Sequence, residues 1–149
     1  MIKTLIIGGT GFLGRHLSNI LSKNNNEVYI TSRFVSENDN CLVFDLEDIN
    51  CFRNIDFNSF DRILMLVSSM TGIQSKTLDG NTFEINCIAY KNFLNHLVEI
   101  NYSNQFVYVS SMTVYSVKNE SPVEENGNTE LPPNPYGLSK LFAEKLTKY

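Results

Sequence analysis

The sequence predicts an α/β fold with a doubly wound parallel sheet. Strand-like and helix-like segments alternate along its 149 residues. A glycine-rich turn directly follows the first strand-like segment, and residues 63–67 are apolar throughout, as is typical of a strand covered on both faces. Because parallel strands need crossover connections, this alternation favours right-handed strand–helix–strand units.

The N-terminal half is predicted to contain three strands and a helix. The first strand is Lys3–Ile7, short and apolar before the glycines. The helix after it ends at a polar stop at residues 22–24, and its apolar positions recur at helical spacing at Phe12, Leu13, Leu17, Ile20 and Leu21. Further strands are expected at residues 27–31 and 41–44, and one or two short helices within residues 32–58.

The C-terminal half continues the pattern. Strands are predicted at residues 62–67 and 105–109, separated by a long helix over residues 80–100. All four prolines fall within residues 116–135, which predicts a loop. The last segment, residues 136–149, is predicted to be an amphipathic helix with apolar positions at Leu138, Leu141, Phe142 and Leu146.

Composition narrows the class of protein. The net charge is −4 and no long basic run occurs, which argues against nucleic acid or an anionic membrane surface as a partner. Net charge does not exclude a local basic patch. The longest apolar runs have about five residues, whereas a membrane-spanning helix needs about 20. Cys41, Cys51 and Cys87 are widely spaced, so we expect reduced thiols in a cytoplasmic protein rather than a disulfide or a metal site.

Three glycines stand three residues apart in the turn after the first strand. Gly8 would permit a tight turn, Gly11 would let backbone approach a pyrophosphate, and Gly14 would let the helix pack closely on the sheet. Backbone N–H groups and the helix dipole would then stabilise the anion. The alternative is an ordinary glycine-rich turn between a strand and a helix.

The end of the second strand bears on the choice of nucleotide. A dinucleotide site often has an acid there to bind the ribose 2′-hydroxyl, but this chain has Ser32 followed by Arg33. A guanidinium can bind a 2′-phosphate bidentately, and Arg15 could assist. The sequence therefore favours NADP over NAD, unless Arg33 is simply a solvated cation in a loop.

Tyr136 and Lys140 are four residues apart on the last predicted helix and so share one face. A free phenol has a pKa near 10 and is a poor base at neutral pH. A nearby ammonium lowers that pKa and could make the phenol a usable acid and base for interconverting a carbinol and a carbonyl. Taken alone, such a pair is more often surface decoration on a helix.

Three segments in this order carry a resemblance: GGTGFLG at residues 8–14, SSMTVYS at residues 110–116 and PYGLSK at residues 135–140. Together they resemble the extended branch of the short-chain dehydrogenase/reductase family, of the NAD-dependent epimerase/dehydratase type, over the chain from Ile2 to Tyr149. The resemblance implies an NAD(P)-binding Rossmann fold over residues 1–149. It also implies that this chain is the N-terminal part of a longer enzyme, with the substrate-binding domain largely missing, or a short variant that dimerises.

The resemblance assigns roles to residues. It implies that Ser111, Tyr136 and Lys140 are catalytic, with the Ser111 hydroxyl holding the substrate oxygen, whereas Ser110 would be a strand-end hydroxyl satisfied by backbone. Asn86 would lie near the active site, unless it is only a polar residue early in a helix. Cofactor binding is implied for Gly8, Gly11, Phe12, Leu13, Gly14, Arg33, Asp45, Leu46, Tyr136 and Lys140.

Some of these assignments have alternatives or departures. Asp45 and Leu46 would contact adenine, although Asp45 could instead form a turn at a strand end. Ser116 stands where the family usually has glycine. Met112 and Thr113 stand where dehydratases of the family carry an acidic pair, so dehydration by that route is not expected.

The implied function is hydride transfer between a nicotinamide and a sugar carbon of a nucleoside-diphosphate sugar, as an epimerase or a reductase. The alternative is a non-catalytic NAD(P)-binding or redox-sensing module. The helices over residues 80–100 and 136–149 correspond to those that pair in dimers of the family, so a homodimer is expected.

Overall fold

A computed structural model describes residues 1–70, 80–119 and 122–148 of the chain. The described strands and the predicted ones agree to within two residues at each end. They are β1 Lys3–Ile7, β2 Glu27–Ser32, β3 Cys41–Val43, β4 Arg62–Met65 and β5 Gln105–Tyr108.

The five strands form one parallel sheet in the order β3-β2-β1-β4-β5. The strand β1 is central, with Leu5 opposite Tyr29 on one side and Ile63 on the other. Its residues Leu5, Ile6 and Ile7 are completely buried, which explains the continuous apolar run. The strand order reverses at β1, so the carboxyl ends of β1 and β4 flank a topological switch point, where ligands of such sheets bind. The predicted fold class is confirmed.

The helices are α1 Phe12–Lys23, α2 Ile49–Phe52, α3 Gly80–Phe83, α4 Tyr90–Glu99 and α5 Pro135–Thr147. Short 3₁₀ turns occupy Phe57–Ser59 and Met112–Val114. The single long helix predicted over residues 80–100 is interrupted by a π-helical segment at Glu84–Ala89, between α3 and α4. Part of the predicted 116–135 loop, at residues 120–121, lies outside the described residues.

An aromatic cluster fills the core around α2 and α4. Phe44, Phe52, Phe57 and Phe93 are all buried. The ring centroid of Phe93 lies 5.3 Å from that of Phe57, 5.5 Å from that of Phe52 and 5.7 Å from that of Phe44. Such edge-to-face pairs add to the stabilisation that burial of the rings provides.

The apolar positions that recur along α1 are not all buried. Phe12, Leu13 and Ile20 are exposed, and Gly14 is the buried residue of this helix. A Cβ atom on Gly14 would lie 2.5 Å from the Gly8 carbonyl oxygen. The backbone of α1 therefore approaches the preceding turn through its smallest residue, and the bulky side chains beside it point to solvent.

The last helix also buries a different face from the one predicted. Leu138 and Phe142 are 44% and 50% exposed, whereas Tyr136, Ser139, Lys140 and Ala143 are buried. Three residues of α5 with polar groups, Tyr136, Ser139 and Lys140, thus lie inward. Backbone contacts divide the chain into two compact units, residues 1–67 with 92–109 and residues 68–91 with 110–149. The sheet belongs to the first unit and α5 to the second.

Candidate active site

The turn after β1 owes its shape to Gly8. This residue has a φ of +89°, in the left-handed region that favours glycine. Its backbone N–H donates a 3.1 Å hydrogen bond to the Thr31 hydroxyl, and its carbonyl oxygen accepts a 3.1 Å bond from the Gly11 N–H. The turn is therefore closed on itself and tied to β2.

The helix α1 begins directly after this turn, with Gly11 at its N-cap. Because glycine has no side chain to cap the helix, the N–H groups of the first turn face the space beyond Gly11. Such an N-terminus is suited to bind an anion. Gly14 lies too close to the Gly8 carbonyl for any larger residue, so the helix packs closely on the glycine turn at this position.

Sequence reasoning missed the part played by Gly9. A Cβ atom on Gly9 would collide with the side chain of Ile30 on β2. The only available signal was the Gly8–Gly9 doublet itself, because the contact depends on how β1 and β2 pair.

Arg33 and Asp45 follow β2 and β3, which are parallel neighbours with Ser32 opposite Val43. Arg33 is exposed just beyond β2. Arg15 donates from Nε to the Thr10 carbonyl at 2.7 Å and so braces the glycine turn. The structure therefore brings Arg33 and Asp45 to the same edge of the sheet, at the carboxyl ends of β2 and β3.

The turn-forming alternative for Asp45 is realised. Its Oδ1 accepts a 3.0 Å hydrogen bond from the backbone N–H of Glu47. The next residue, Leu46, is buried. A contact of either residue with adenine stays a prediction.

In the second unit, α5 starts at Pro135 behind an Asn134 cap. The Asn134 side chain accepts a 2.8 Å hydrogen bond from the Gly137 N–H, a good N-cap geometry. Tyr136 and Lys140 lie one helical turn apart, and they are only 7% and 2% exposed. Burial of both groups argues against surface decoration, the commoner reason for such a pair.

Burial governs the protonation of Lys140. Desolvation lowers its pKa from 10.5 to about 8, and the Glu144 carboxylate offsets part of this effect. The ammonium therefore predominates at pH 7 and gives way to the neutral amine near pH 8, and a pKa shifted in this way is frequent at functional sites.

Ser111 lies at the N-cap of the 3₁₀ turn Met112–Val114. Its Oγ is 2.9 Å from the Thr113 hydroxyl and accepts a 3.3 Å hydrogen bond from the Thr113 N–H. The Thr113 carbonyl oxygen in turn packs against Gly137, where a Cβ atom would collide with it. The structure therefore brings the turn of Ser111 against the helix of Tyr136, and Gly137 is a second glycine whose role sequence reasoning missed.

Asn86 is the buried centre of a polar network. Its side-chain amide donates to the Ser69 carbonyl at 2.9 Å and to the Ser139 hydroxyl at 3.0 Å. Its oxygen accepts from the Ser69 N–H at 2.8 Å and the Ser68 hydroxyl at 3.2 Å. Ser139 donates to the Tyr136 carbonyl at 2.7 Å, so the network reaches the helix of the predicted catalytic pair. Asn86 also lies in the π-helical segment, a distortion frequent near functional sites.

The prediction for Ser110 is wrong. Its Oγ is buried without a hydrogen-bond partner in the part of the chain that the structure describes, whereas backbone satisfaction was expected. The glycine-to-serine departure at Ser116 is accommodated. Ser116 is buried, and its hydroxyl accepts a 3.1 Å hydrogen bond from the Lys118 N–H.

The structure also bears on the expectations for the cysteines, for metal binding and for membrane-spanning helices. Cys87 is buried, and desolvation raises the pKa of its thiol to about 11; Cys41 and Cys51 are half-buried, and all three are free thiols. Within residues 1–70, 80–119 and 122–148, no group of three or more potential ligands is arranged to hold a metal. No helix in those ranges is long and apolar enough to cross a bilayer.

The parallel sheet, with a glycine turn after its central strand, defines a Rossmann-like fold. The chain belongs to the NAD dependent epimerase/dehydratase family, whose sequence profile matches residues 4–149.

Individual relatives agree with this assignment. A Methanocaldococcus jannaschii protein named "Putative UDP-glucose 4-epimerase" is 27% identical, over 97% of this chain and 49% of its own length. The crystal structure of UDP-N-acetylglucosamine 4-epimerase from Bacillus cereus matches with a TM-score of 0.82 and 26% identity, over 99% of this chain and 50% of that one. RMD from Pseudomonas aeruginosa, solved with NADPH, matches with a TM-score of 0.77 and 25% identity, over 98% and 47%. The chain thus spans about half the length of these relatives.

Proposed function

We propose that this chain binds a nicotinamide dinucleotide and serves a sugar-nucleotide epimerase or reductase that works by hydride transfer. The observation that carries the proposal is the burial of Tyr136 and Lys140 one turn apart on α5. Burying an ionisable side chain costs free energy unless the charge is used or paired. Lys140 lies one turn from the buried Tyr136, whereas Leu138 between them is 44% exposed, and this inward placement of two ionisable groups supports chemistry at the pair.

The glycine turn fits the pyrophosphate of such a cofactor. A side chain at Gly8 would meet Val67 at 3.1 Å, and one at Gly14 would meet the backbone of the turn at 2.5 Å, so the turn keeps its shape only with glycine at both positions. The N–H groups at the start of α1 would hold the phosphates. Phe12 and Leu13 would contribute through this backbone, since their side chains point to solvent.

The choice of nucleotide rests on Arg33. This exposed cation follows β2, where an acid would favour NAD, and it could pair with a 2′-phosphate. A relative solved with NADPH makes that cofactor reasonable for this fold. We therefore propose NADP as the preferred cofactor, with NAD as the alternative that the family description names.

The proposed chemistry uses three side chains of the second unit. Tyr136 would take the proton of a sugar hydroxyl during oxidation and return it during reduction. Lys140, as the ammonium, would favour the phenolate and hydrogen-bond a ribose hydroxyl. Ser111 would hold the sugar oxygen beside the phenol. A bound nicotinamide would accept and return the hydride.

The substrate class follows from the relatives. Those with 26–27% identity carry names of UDP-sugar 4-epimerases, so we propose a nucleoside-diphosphate sugar. Thr113 stands where a dehydratase would need an acid, so the proposed reaction stops at carbinol–carbonyl interconversion.

We also propose a homodimer formed through the outward face of α5. The second unit has exposed apolar residues at Ile88, Leu138 and Phe142. The ring centroid of Phe142 lies 6.1 Å from that of Phe83. Sedimentation of the wild type and of Phe142→Glu would test this. A dimer that the substitution converts to a monomer is expected, and a wild-type monomer at high concentration would contradict it.

Turnover of the full chain tests the proposed chemistry. NADPH and NADH would be titrated by fluorescence, and hydride transfer measured with a panel of UDP-sugars. Tyr136→Phe should keep cofactor binding and lose about 100-fold or more in rate. Tyr90→Phe is the matched control, because Tyr90 is also a buried phenol of the second unit. Unchanged turnover in Tyr136→Phe would remove the mechanism, and binding without any turnover would favour the non-catalytic module.

A further inference from the structure

We infer that Thr113 is a positioning residue that makes the Ser111 hydroxyl a one-way hydrogen-bond donor. This inference rests on the proposed function, in which Ser111 faces the substrate oxygen. It gives a role to Thr113, which in the sequence stands out only as a departure from the acidic pair of dehydratases.

The argument begins with the hydrogen-bond inventory of Ser111. A serine hydroxyl has one proton to donate and two lone pairs to accept with. One lone pair accepts from the Thr113 N–H at 3.3 Å. The other atom within reach is the Thr113 hydroxyl at 2.9 Å, where either oxygen could be the donor.

The direction of the second bond decides what Ser111 can do. If the Thr113 hydroxyl donates, both acceptor sites of Ser111 are engaged and its own proton stays available for a ligand. If Ser111 donates to Thr113, its proton is used and a ligand would meet only a lone pair. A sugar oxygen that gives its proton to Tyr136 becomes a carbonyl acceptor, so a donor at Ser111 is the productive arrangement.

The surroundings hold Thr113 in place for this task. Its carbonyl oxygen lies against the backbone of Gly137, in the first turn of α5, so tightly that no side chain fits there. The next residue, Val114, is buried and anchors the turn. Thr113 is therefore fixed through its backbone to the helix of Tyr136 and through its side chain to Ser111.

The charged state of a thiol at position 111 tests, without any turnover, whether the Thr113 hydroxyl reaches that position and donates to an acceptor there. Ser111→Cys would be made in the full chain with Cys41→Ser and Cys51→Ser, while Cys87 stays because it is buried with a thiol pKa of about 11. The pH profile of alkylation of this thiol by iodoacetamide would then be measured in three such chains, which carry threonine, valine (Thr113→Val) or serine (Thr113→Ser) at position 113.

A donating hydroxyl stabilises the thiolate. We expect the midpoint of the profile to move to higher pH by about 1 with Thr113→Val and to return with Thr113→Ser. Identical profiles for threonine and valine would overturn the inference. Circular dichroism spectra that match among the variants would show that the turn remains folded.

Kinetics of chains that keep Ser111 give the second readout. Thr113→Val should lower kcat for the sugar about three- to tenfold, with an unchanged Kd for NADPH and with recovery in Thr113→Ser. Equal kcat values in the wild type and Thr113→Val would overturn the positioning role. A wild type that binds no cofactor would overturn the proposed function instead, and the thiol profiles would still show whether the Thr113 hydroxyl donates to position 111.

Discussion

The side-chain amide of Asn86 donates a 3.0 Å hydrogen bond to the buried hydroxyl of Ser139, and so joins the π-helical segment to α5. Ser139 lies between Tyr136 and Lys140 in the sequence and donates to the Tyr136 carbonyl. The two residues thus connect the distortion in one helix with the helix that carries the proposed acid and base.

Replacement of Asn86 by leucine should destabilise the protein strongly. The shape is nearly kept, but the four hydrogen bonds to Ser68, Ser69 and Ser139 are lost inside the protein. We expect Asn86→Leu to lower the free energy of unfolding by about 3 kcal/mol, measured by urea denaturation. Ser139→Ala should cost only about 1 kcal/mol, because the Asn86 amide keeps its bond to Ser69. Equal costs for the two variants would contradict the central place of Asn86.

The glycine turn allows a matched pair of substitutions. Gly14→Ala places a Cβ atom 2.5 Å from backbone and should destabilise the fold by about 1–3 kcal/mol. In Gly11→Ala the nearest atom is the Gly8 oxygen at 3.2 Å, so the fold should lose less than about 1 kcal/mol. Cofactor affinity should nevertheless fall in Gly11→Ala, because its methyl group occupies the approach of the pyrophosphate. A Gly11→Ala variant with wild-type stability and wild-type NADPH affinity would argue against an anion site at this turn.

The buried Lys140 predicts a pH dependence of stability. Its folded pKa of about 8 lies below the unfolded value of 10.5, so the unfolded chain binds more protons between these values. The free-energy cost of burying the ammonium is therefore present in full below pH 8 and decreases as the pH rises towards 10.5. Lys140→Met removes it, and the variant should be more stable than the wild type at pH 7 by about 3 kcal/mol.

That difference between Lys140→Met and the wild type should shrink as the pH is raised from 8 to 9.5. Comparing the two chains cancels the opposing contribution of Tyr90, whose pKa burial raises to about 12. Urea denaturation at several pH values provides the measurement. A difference that stays constant over this range would mean that Lys140 does not titrate there.

Arg33 should decide between the two nucleotides. Arg33→Ala is expected to weaken NADPH about tenfold and to leave NADH unaffected, because only NADPH has the 2′-phosphate. Arg53→Ala, at another exposed arginine, provides the control for a general loss of positive charge. Equal effects on the affinities for NADPH and NADH would mean that Arg33 is only a solvated cation in a loop, and would favour NAD as the cofactor.

Much of the fold could be predicted because it depends on local pattern. The residues Leu5, Ile6 and Ile7 of β1 are apolar and buried, and the short helix α2 falls within residues 32–58, where one or two short helices were expected. The faces of α1 and α5 could not be predicted in this way. An apolar pattern says which side of a helix could be buried, whereas contacts at Gly14 and at Lys140 determine which side is buried.

The same distinction applies to the candidate site. The glycines at 8, 11 and 14 are visible in the sequence because the turn and helix start are local. The pairing of Thr113 with Ser111 and the collisions that Gly9 and Gly137 avoid depend on distances between separate elements. The orphaned hydroxyl of Ser110 is likewise a result of packing, and nothing in the residues around it indicates that it lacks a partner.

Hydride transfer by the full chain provides the most direct test of the central claim, that the glycine turn binds a nicotinamide dinucleotide and that Tyr136 is the acid and base of hydride transfer. NADPH deuterated at C4 would be incubated with oxidised nucleotide-sugar substrates, and deuterium in the sugar measured by mass spectrometry. We predict that the wild type incorporates deuterium into the sugar. The rate of incorporation should be about 100-fold or more lower in Tyr136→Phe, and strongly reduced in Gly11→Ala at limiting cofactor. Incorporation at the wild-type rate in both variants would contradict the claim.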